Sequence, residues 1–243
     1  MTRIFHTSDL HFGAEDPAAL DWFAETVRTE KPDAAIVTGD LTQRARRSEF
    51  RAAAQYLAAL PVPVSVEPGN HDLPYFNLFE RFVRPYRRVE RAAKMVEAEI
   101  DLADCVVVPL KTTARFQLRL NWSHGNVSSR GLARSLRLAQ AVPDDKMVII
   151  ACHHPLVDIA ETGTKGRTRG GEEALRRLSA CGAQAVITGH VHTPFDVTHR
   201  LDGGGSIRLI GAGTLSERIR EHVPSFNDIE IVNGDLSVRH RVA

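Results

Sequence analysis

Short apolar runs alternate with amphipathic stretches along this chain, and that rhythm most narrows the folds open to it. Ile4-Phe5-His6-Thr7 reads as a strand. Residues 17–30 place Leu20, Phe23 and Val27 on one helical face, and Pro32 stops the pattern because its ring cannot continue a helix. Residues 34–38 form the next apolar run, residues 47–60 carry Phe50, Ala54 and Leu57 on one face before Pro61, and residues 62–66 are a third run. This βαβαβ order predicts a layered α/β domain with a largely parallel sheet. The middle departs from it. Phe76, Phe79, Phe82 and Val83 fit a short helix ended by Pro85. Val96, Ala98, Ile100 and Leu102 then alternate with Glu97, Glu99 and Asp101, the period of two that marks a half-buried strand. Asp104 signals a turn and residues 105–110 resume as a strand, so a hairpin is expected, which adds antiparallel members. A helix over 129–140, a strand over 147–151, a helix over 171–181 closed by Gly182 and a strand over 185–188 restore the rhythm. The tail reads as strands at 207–210, 229–232 and 236–242, with Asn233-Gly234 as a turn.

Five of the apolar runs lead straight into polar clusters. They are Ser8-Asp9-Leu10-His11, Gly39-Asp40, Gly69-Asn70-His71-Asp72, His153-His154-Pro155 and Gly189-His190-Val191-His192. In open α/β sheets, ligands gather outside the carboxyl ends of the strands, so the five clusters should meet on one rim. Asp9, His11, Asp40, Asn70, His153, His190 and His192 supply seven oxygen and nitrogen donors. One ion takes about four to six ligands, so seven suit two ions sharing a bridging carboxylate. Imidazole mixed with carboxylate fits Mn, Fe or Zn. Two ions about 4 Å apart can hold a phosphoryl group and activate a hydroxide between them for in-line attack. Gly39, Gly69 and Gly189 each precede a donor, where glycine permits the sharp turn that swings the next side chain over the strand end.

Composition removes other classes. Lys and Arg total 31 against 30 Asp and Glu, so no overall charge draws the chain to nucleic acid or a membrane surface, and no stable nucleic-acid partner is expected. Cys105, Cys152 and Cys181 are far apart and odd in number. That argues against a disulfide framework and a cysteine zinc site and suits a reducing compartment. The first residues lack an apolar segment of the secretory kind, and no apolar run approaches the roughly 18 residues of a membrane span. A cytoplasmic location follows as an expectation. The 243 residues and 43% hydrophobic content suit one domain over 1–243, with a small helical or hairpin insertion at about 74–104.

Taken together and in order, Asp9-x-His11, Gly39-Asp40, Gly69-Asn70-His71-Asp72, His153-His154-Pro155 and Gly189-His190-x-His192 resemble the five motifs of the calcineurin-like metallophosphoesterase superfamily. The resemblance implies a four-layer αββα sandwich of two mixed β-sheets flanked by helices. It implies one metal held by Asp9, His11, Asp40 and His192, and a second held by Asp40, Asn70, His153 and His190, with Asp40 bridging. His71 would then sit over the phosphate as proton donor or transition-state stabiliser, with Asn70 beside it and Asp72 orienting it. Thr38-Gly39-Asp40-Leu41-Thr42 and Pro224-Ser225-Phe226-Asn227 are similar to bacterial class III cyclic nucleotide phosphodiesterases, a less specific match.

The expected activity is hydrolysis of a small phosphodiester, such as a cyclic nucleotide, by attack of a metal-bridging hydroxide. Phosphomonoesterase, lipid-linked pyrophosphatase, nuclease and metal-free scaffold remain as alternatives, and a homo-oligomer stays open. Several residues have plainer readings. His6 belongs in the core or on a sheet face, His124 is structural, and His199, His222 and His240 are surface residues. His154 orients a neighbour or contacts substrate. Cys152, inside an apolar strand, is buried and inert. Arg44, Arg46, Arg47, Arg81, Arg84, Arg87 and Arg88 form either an electropositive apron or a solvated helix face. Residues 161–171 read as a loop over the site or a simple connection.

Overall fold

The computed structural model describes residues 1–74, 83, 95–114, 123–159, 163, 168–202, 204–219 and 222–243. The expected helix at 76–85, with Phe76, Phe79 and Phe82, lies outside these residues apart from Val83. So do Arg81, Arg84, Arg87, Arg88 and most of 161–171.

One sheet contains β1 (Thr2–Thr7), β2 (Ala34–Val37), β3 (Val64–Val66), β10 (Ser225–Val232) and β11 (Asp235–Val242), in the order β11-β10-β1-β2-β3. The other contains β4 (Ile100–Asp101), β5 (Cys105–Pro109), β6 (Met147–Ala151), β7 (Ala183–Thr188), β8 (Phe195–Arg200) and β9 (Ser206–Gly211), in the order β4-β5-β6-β7-β9-β8. Strands β1, β2 and β3 run parallel, as do β5, β6, β7 and β9. Strands β4, β8, β10 and β11 pair antiparallel, so both sheets are mixed. Helices α1 (Pro17–Glu30) and α2 (Arg47–Ala58) cover the first sheet, and α3 (Ser129–Gln140) and α4 (Gly171–Ala180) cover the second.

Period two in the strands produces the four layers. Ile4, Ala34 and Ile36 of the first sheet meet Val107, Ile149, Ala151, Ala185 and Ile187 of the second in a core between the sheets. Their neighbours Phe5, Ala35 and Val37 face the other way, against Leu20, Phe23 and Val27 of α1 and Leu57 of α2. Val106, Val108, Val148, Ile150 and Val186 pack against Leu132 and Leu136 of α3 and Leu175 and Leu178 of α4. A strand buried on both faces carries apolar residues without polar alternation, and β2, β5 and β6 read that way, while β1 is buried with His6 and Thr7 beside Ile4 and Phe5. The helix ends follow local chemistry: the Asp16 carboxylate accepts from the Ala19 N–H and Pro17 opens α1, while the Ser128 hydroxyl caps α3 by accepting from Gly131.

Two expectations change. The strand over residues 96–102 shrinks to Ile100–Asp101. Val96 instead bridges Val66 at the edge of the first sheet, and Glu97 takes a left-handed backbone with φ 50°. The Glu97 carboxylate binds Lys111 at 2.8 Å and Arg134 at 3.3 Å. The alternation therefore belongs to a segment crossing from the edge of one sheet to the edge of the other. Strand β8 was not apparent in the sequence. It is an edge strand in which exposed residues alternate with half-buried ones after Phe195, so it carries little apolar signal. His199 lies on it, half-buried.

At the first sheet's helical face, Phe226 stacks between Phe5 at 4.8 Å, Trp22 at 5.1 Å and Phe23 at 5.1 Å. Phe226→Ala should lower the unfolding free energy by about 3–5 kcal/mol, because the sheet cannot close the cavity. Urea denaturation measures this, and a loss below about 1 kcal/mol would show that the ring adds little to this core.

Candidate metal centre

The parallel strands of both sheets point their carboxyl ends to one rim, and backbone bonds lock the loops there. Asp9 N–H donates to Gly39 O at 2.9 Å, His11 N–H to Asp40 O at 3.0 Å, and Gly189 N–H to His153 O at 3.0 Å. All seven candidate ligands meet on this rim. Asp9, His11, Asp40, Asn70, His153 and His192 are buried, and His190 is half-buried.

The backbone is strained where the donors stand. Asp9, His11, Asp40, His190 and His192 have φ of 55°, 46°, 50°, 72° and 58°. Non-glycine residues seldom adopt this region, and each such residue costs about 1–3 kcal/mol. Their glycine neighbours have two separate reasons to be glycine. Gly39 itself sits at φ 102°, and a Cβ there would also collide with the His153 ring. Gly69 has an ordinary φ of −96°, but a Cβ there would strike the Asp40 carboxylate. The turn argument from sequence thus holds for Gly39, whereas close approach explains Gly69.

Each carboxylate uses its two oxygens differently. Asp9 Oδ2 accepts from the His190 N–H at 2.8 Å, while Oδ1 lies 3.0 Å from His192 Nε2 and 3.6 Å from His11 Nε2. Asp40 Oδ1 accepts from the His71 N–H at 2.7 Å, while Oδ2 lies 3.9 Å from His11 Nε2 and 3.5 Å from His153 Nε2. His153 Nε2 is also 3.1 Å from Asn70 Oδ1, and the Nε2 atoms of His11 and His192 are 3.3 Å apart. Two of the remote nitrogens are tied down. His153 Nδ1–H donates to Thr38 O at 2.7 Å, and His192 Nδ1–H donates to Arg218 O at 2.7 Å. Bonds of this kind fix ring orientation and tautomer in metal-ligating histidines.

The electrostatics draw cations inward. Burial opposes charge on His153, yet Asp40 with Asp9 lifts its pKa to about 9. Burial likewise opposes charge on His192, and Asp9 raises it. Burial works against ionisation of Asp40, but the adjacent His153 holds it below the usual carboxylate range. Burial, with His153 beside it, pushes His190 down to about 3, which keeps a neutral ring with an available lone pair. Asp9, His11 and His192 form one group whose ligand atoms lie within 4.8 Å of one another, and Asp9, Asp40 and His153 form another. Hard oxygen and borderline nitrogen donors converging on carboxylate-rich positions fit divalent or trivalent transition metals.

Residues 2–194 match the calcineurin-like phosphoesterase family. The chain belongs to that family. This phosphoesterase also has the fold of solved relatives at low identity. A dimetal phosphatase from Danio rerio aligns over 99% of this chain and 96% of its own, with TM-score 0.71 and 14% identity. A purple acid phosphatase from yellow lupin (Lupinus luteus) seeds aligns over 99% of this chain and 51% of its own, with TM-score 0.71 and 12% identity. The phosphopantetheinyl hydrolase of Mycobacterium tuberculosis covers 88% of this chain and 90% of its own, with TM-score 0.53 and 16% identity.

Other expected site residues of the phosphoesterase fall in revised places. His71 is half-buried beside His11, its ring edge-on at 4.9 Å, and its Nδ1–H donates to Gln43 O at 2.8 Å. Asp72 is not seen to orient that ring. Its carboxylate accepts from the N–H groups of Gly69, Leu41 and Thr42 and from the Thr42 hydroxyl, so it braces the turn carrying Asn70 and His71. Burial, then the charge of Asp40, raises Asp72 to about 6. His154 is not placed to contact substrate. It is 1% exposed, its Nδ1 pairs with Thr112 Oγ1 at 2.9 Å and its Nε2 donates to Ser123 O at 2.9 Å. It supports His153 and His190, whose ring centroids lie 4.7 and 4.5 Å from its own. Arg44, Arg46 and Arg47 are exposed, as a solvated face requires. His6 is fully buried, with Nε2 on Thr38 Oγ1 at 2.9 Å, and Cys152 is fully buried. The sequence reading missed Arg218, which follows β9. The signal available was positional, since β9 is a parallel strand whose carboxyl end must reach the same rim.

Asp40→Ala should strip metal from the purified protein, because one of its oxygens faces both imidazole sets. Elemental analysis checks it; wild-type metal content in the variant would remove Asp40 as a shared ligand.

Proposed function

We propose that this chain hydrolyses a small organic phosphodiester, of the cyclic nucleotide or glycerophosphodiester kind, with two metal ions held side by side. The observation carrying this reading is Asp40 Oδ2, which lies between His11 Nε2 at 3.9 Å and His153 Nε2 at 3.5 Å. Asp9, His11, Asp40 and His192 would hold one ion, and Asp40, Asn70, His153 and His190 the other. Such ions, as Mn, Fe or Zn, supply Lewis acidity at phosphorus and activate water as the nucleophile.

The chain's own groups do the rest. His71 donates Nδ1–H to Gln43 O, which leaves Nε2 as the atom turned toward the shared space. Burial lowers the pKa of this ring, with Asp40 opposing. The neutral ring is thus favoured, and a proton that Nε2 takes up in the reaction is readily passed on to the leaving oxygen. Asp72 keeps the turn beneath His71 rigid. Diester cleavage is favoured because one reaching guanidinium among the described residues, Arg218, matches the single negative charge of a diester. The similarity of residues 38–42 to cyclic nucleotide phosphodiesterases points the same way. A monoesterase is the second reading, since two of the fold relatives are named phosphatases. Three free cysteines support a reducing, cytoplasmic setting. Among the described residues no helix is long and apolar enough to cross a membrane.

The deciding experiment reconstitutes the protein with Mn, Fe or Zn and compares bis-p-nitrophenyl phosphate, p-nitrophenyl phosphate, cyclic AMP and glycerophosphodiesters. A higher kcat/KM for diesters is expected. Preference for p-nitrophenyl phosphate would favour the monoesterase, and metal-loaded protein inactive on all four would end the hydrolytic reading. His71→Ala should keep the bound metal yet lose roughly 10²–10⁴-fold in kcat, the contribution of one positioned acid. Unchanged turnover would take His71 out of the mechanism.

A further inference from the structure

The loop after β9 reaches the rim from a sixth strand end. It is fastened to the segment that carries Asp9 and His11. Thr214 Oγ1 donates to Asp9 O at 2.6 Å and pairs with Ser216 Oγ at 2.7 Å. Asp16 N–H donates to Leu215 O at 3.3 Å, Glu217 N–H to Ala14 O at 3.0 Å, and Arg218 N–H to Ser216 Oγ at 3.3 Å. Thr214 and Ser216 are buried. The backbone at Arg218 is thus set relative to the ligand positions, and its carbonyl also steadies His192.

The side chain returns over the site. Arg218 Nη1 lies 3.3 Å from His11 Nε2, 3.1 Å from His71 Nε2 and 3.4 Å from Gln43 Oε1. Arg3, Arg208 and Arg241 all pair with carboxylates. Arg218 has no carboxylate within 4.0 Å among the described residues, although it is half-buried. A guanidinium so placed is weakly compensated. Once a cation takes the His11 Nε2 lone pair, Arg218 can no longer donate to that atom, and two positive centres then face each other across a few ångströms. An anionic oxygen between them reconciles the two, and guanidinium geometry suits phosphate oxygens.

We infer that Arg218 is a substrate-binding residue whose guanidinium receives a phosphoryl oxygen at the rim between His11 and His71. The inference rests on the hydrolytic reading for its substrate, and inorganic phosphate binding tests it separately. Arg218→Ala, Arg218→Gln and Arg218→Lys proteins are loaded with metal and compared with wild type. Metal content is read by elemental analysis, phosphate affinity by calorimetry, and kcat/KM on bis-p-nitrophenyl phosphate. The Ala and Gln variants should keep wild-type metal content, because the main-chain carbonyl that holds His192 survives. Their phosphate Kd should weaken by roughly 10–100-fold, with a parallel fall in kcat/KM, as expected for loss of a hydrogen bond to a charged group. The Lys variant should fall between, keeping charge without the fork. Wild-type phosphate affinity in Arg218→Ala and Arg218→Gln overturns the inference, as does loss of metal from both, which would make Arg218 a support for His192. A wild-type protein that binds phosphate but cleaves no diester overturns the hydrolytic reading alone, and the phosphate Kd values still decide Arg218.

Discussion

Two buried carboxylates, Asp9 and Asp40, impose the arrangement around them. Ionised groups removed from water cost several kcal/mol each unless charge and hydrogen bonds offset this. Here each carboxylate gives one oxygen to a backbone N–H, from His190 and from His71. That bond fixes the side chain and leaves the second oxygen facing imidazoles. The imidazoles are in turn held by carbonyls of Thr38 and Arg218. Thr38 follows β2 in the first sheet, while His153 follows β6 in the second. The polar centre therefore ties the two sheets together at one end, where the apolar core between them stops. The charge of Asp40, with that of Asp9, favours the protonated ring of His153, which is why its pKa rises despite burial.

Holding donors in this geometry requires backbone that strands and helices do not supply. Five candidate ligands adopt left-handed φ, which turns each side chain back over its own strand end. The strain persists because neighbouring loops pair. After β1 and β2 the chains continue side by side, with Asp9 on Gly39, His11 on Asp40 and Phe12 on Leu41. Asp72 adds three backbone contacts and a hydroxyl beneath this pairing. Rigidity at the rim thus comes from loop-to-loop hydrogen bonds anchored on a densely packed sandwich.

The legible parts of the sequence were those governed by local chemistry. Helices at 17–30 and 129–140 carry side-chain caps and apolar faces, and the two-sided burial of β2, β5 and β6 appears as unbroken apolar runs. The ligand clusters were legible because strand ends concentrate polar side chains in an otherwise apolar pattern. What failed depends on long-range partners. Residues 96–102 alternate like one strand, yet Glu97 is drawn to Lys111 and Arg134 and the segment divides between two sheets. Strand β8 has too little burial to show a pattern. Asp72 stands next to His71 in sequence but turns its carboxylate toward residues 41, 42 and 69. Arg218 lies in no recognisable spacing and reaches the site through the tertiary course of β9.

The histidines show why residue type and spacing stop short of chemical role. His153 and His192 each donate Nδ1–H to a main-chain carbonyl and present Nε2 to a carboxylate, an arrangement that accepts a cation. His71 also donates Nδ1–H to a carbonyl, but its Nε2 meets the Arg218 guanidinium. A metal ion there would face the guanidinium charge, which separates His71 from the rings that face carboxylates. His154 sits one residue from His153, with both nitrogens consumed by Thr112 and Ser123, and serves as packing beneath its neighbours. His6 lies in the same region, between Thr38 and Asn227, and burial pushes its pKa down to about 3. What distinguishes these rings is the partner of the second nitrogen, and that partner comes from another strand or loop in every case. A change at Gln43 or Thr112 that moved the partner would alter the chemistry of a histidine it does not adjoin in sequence.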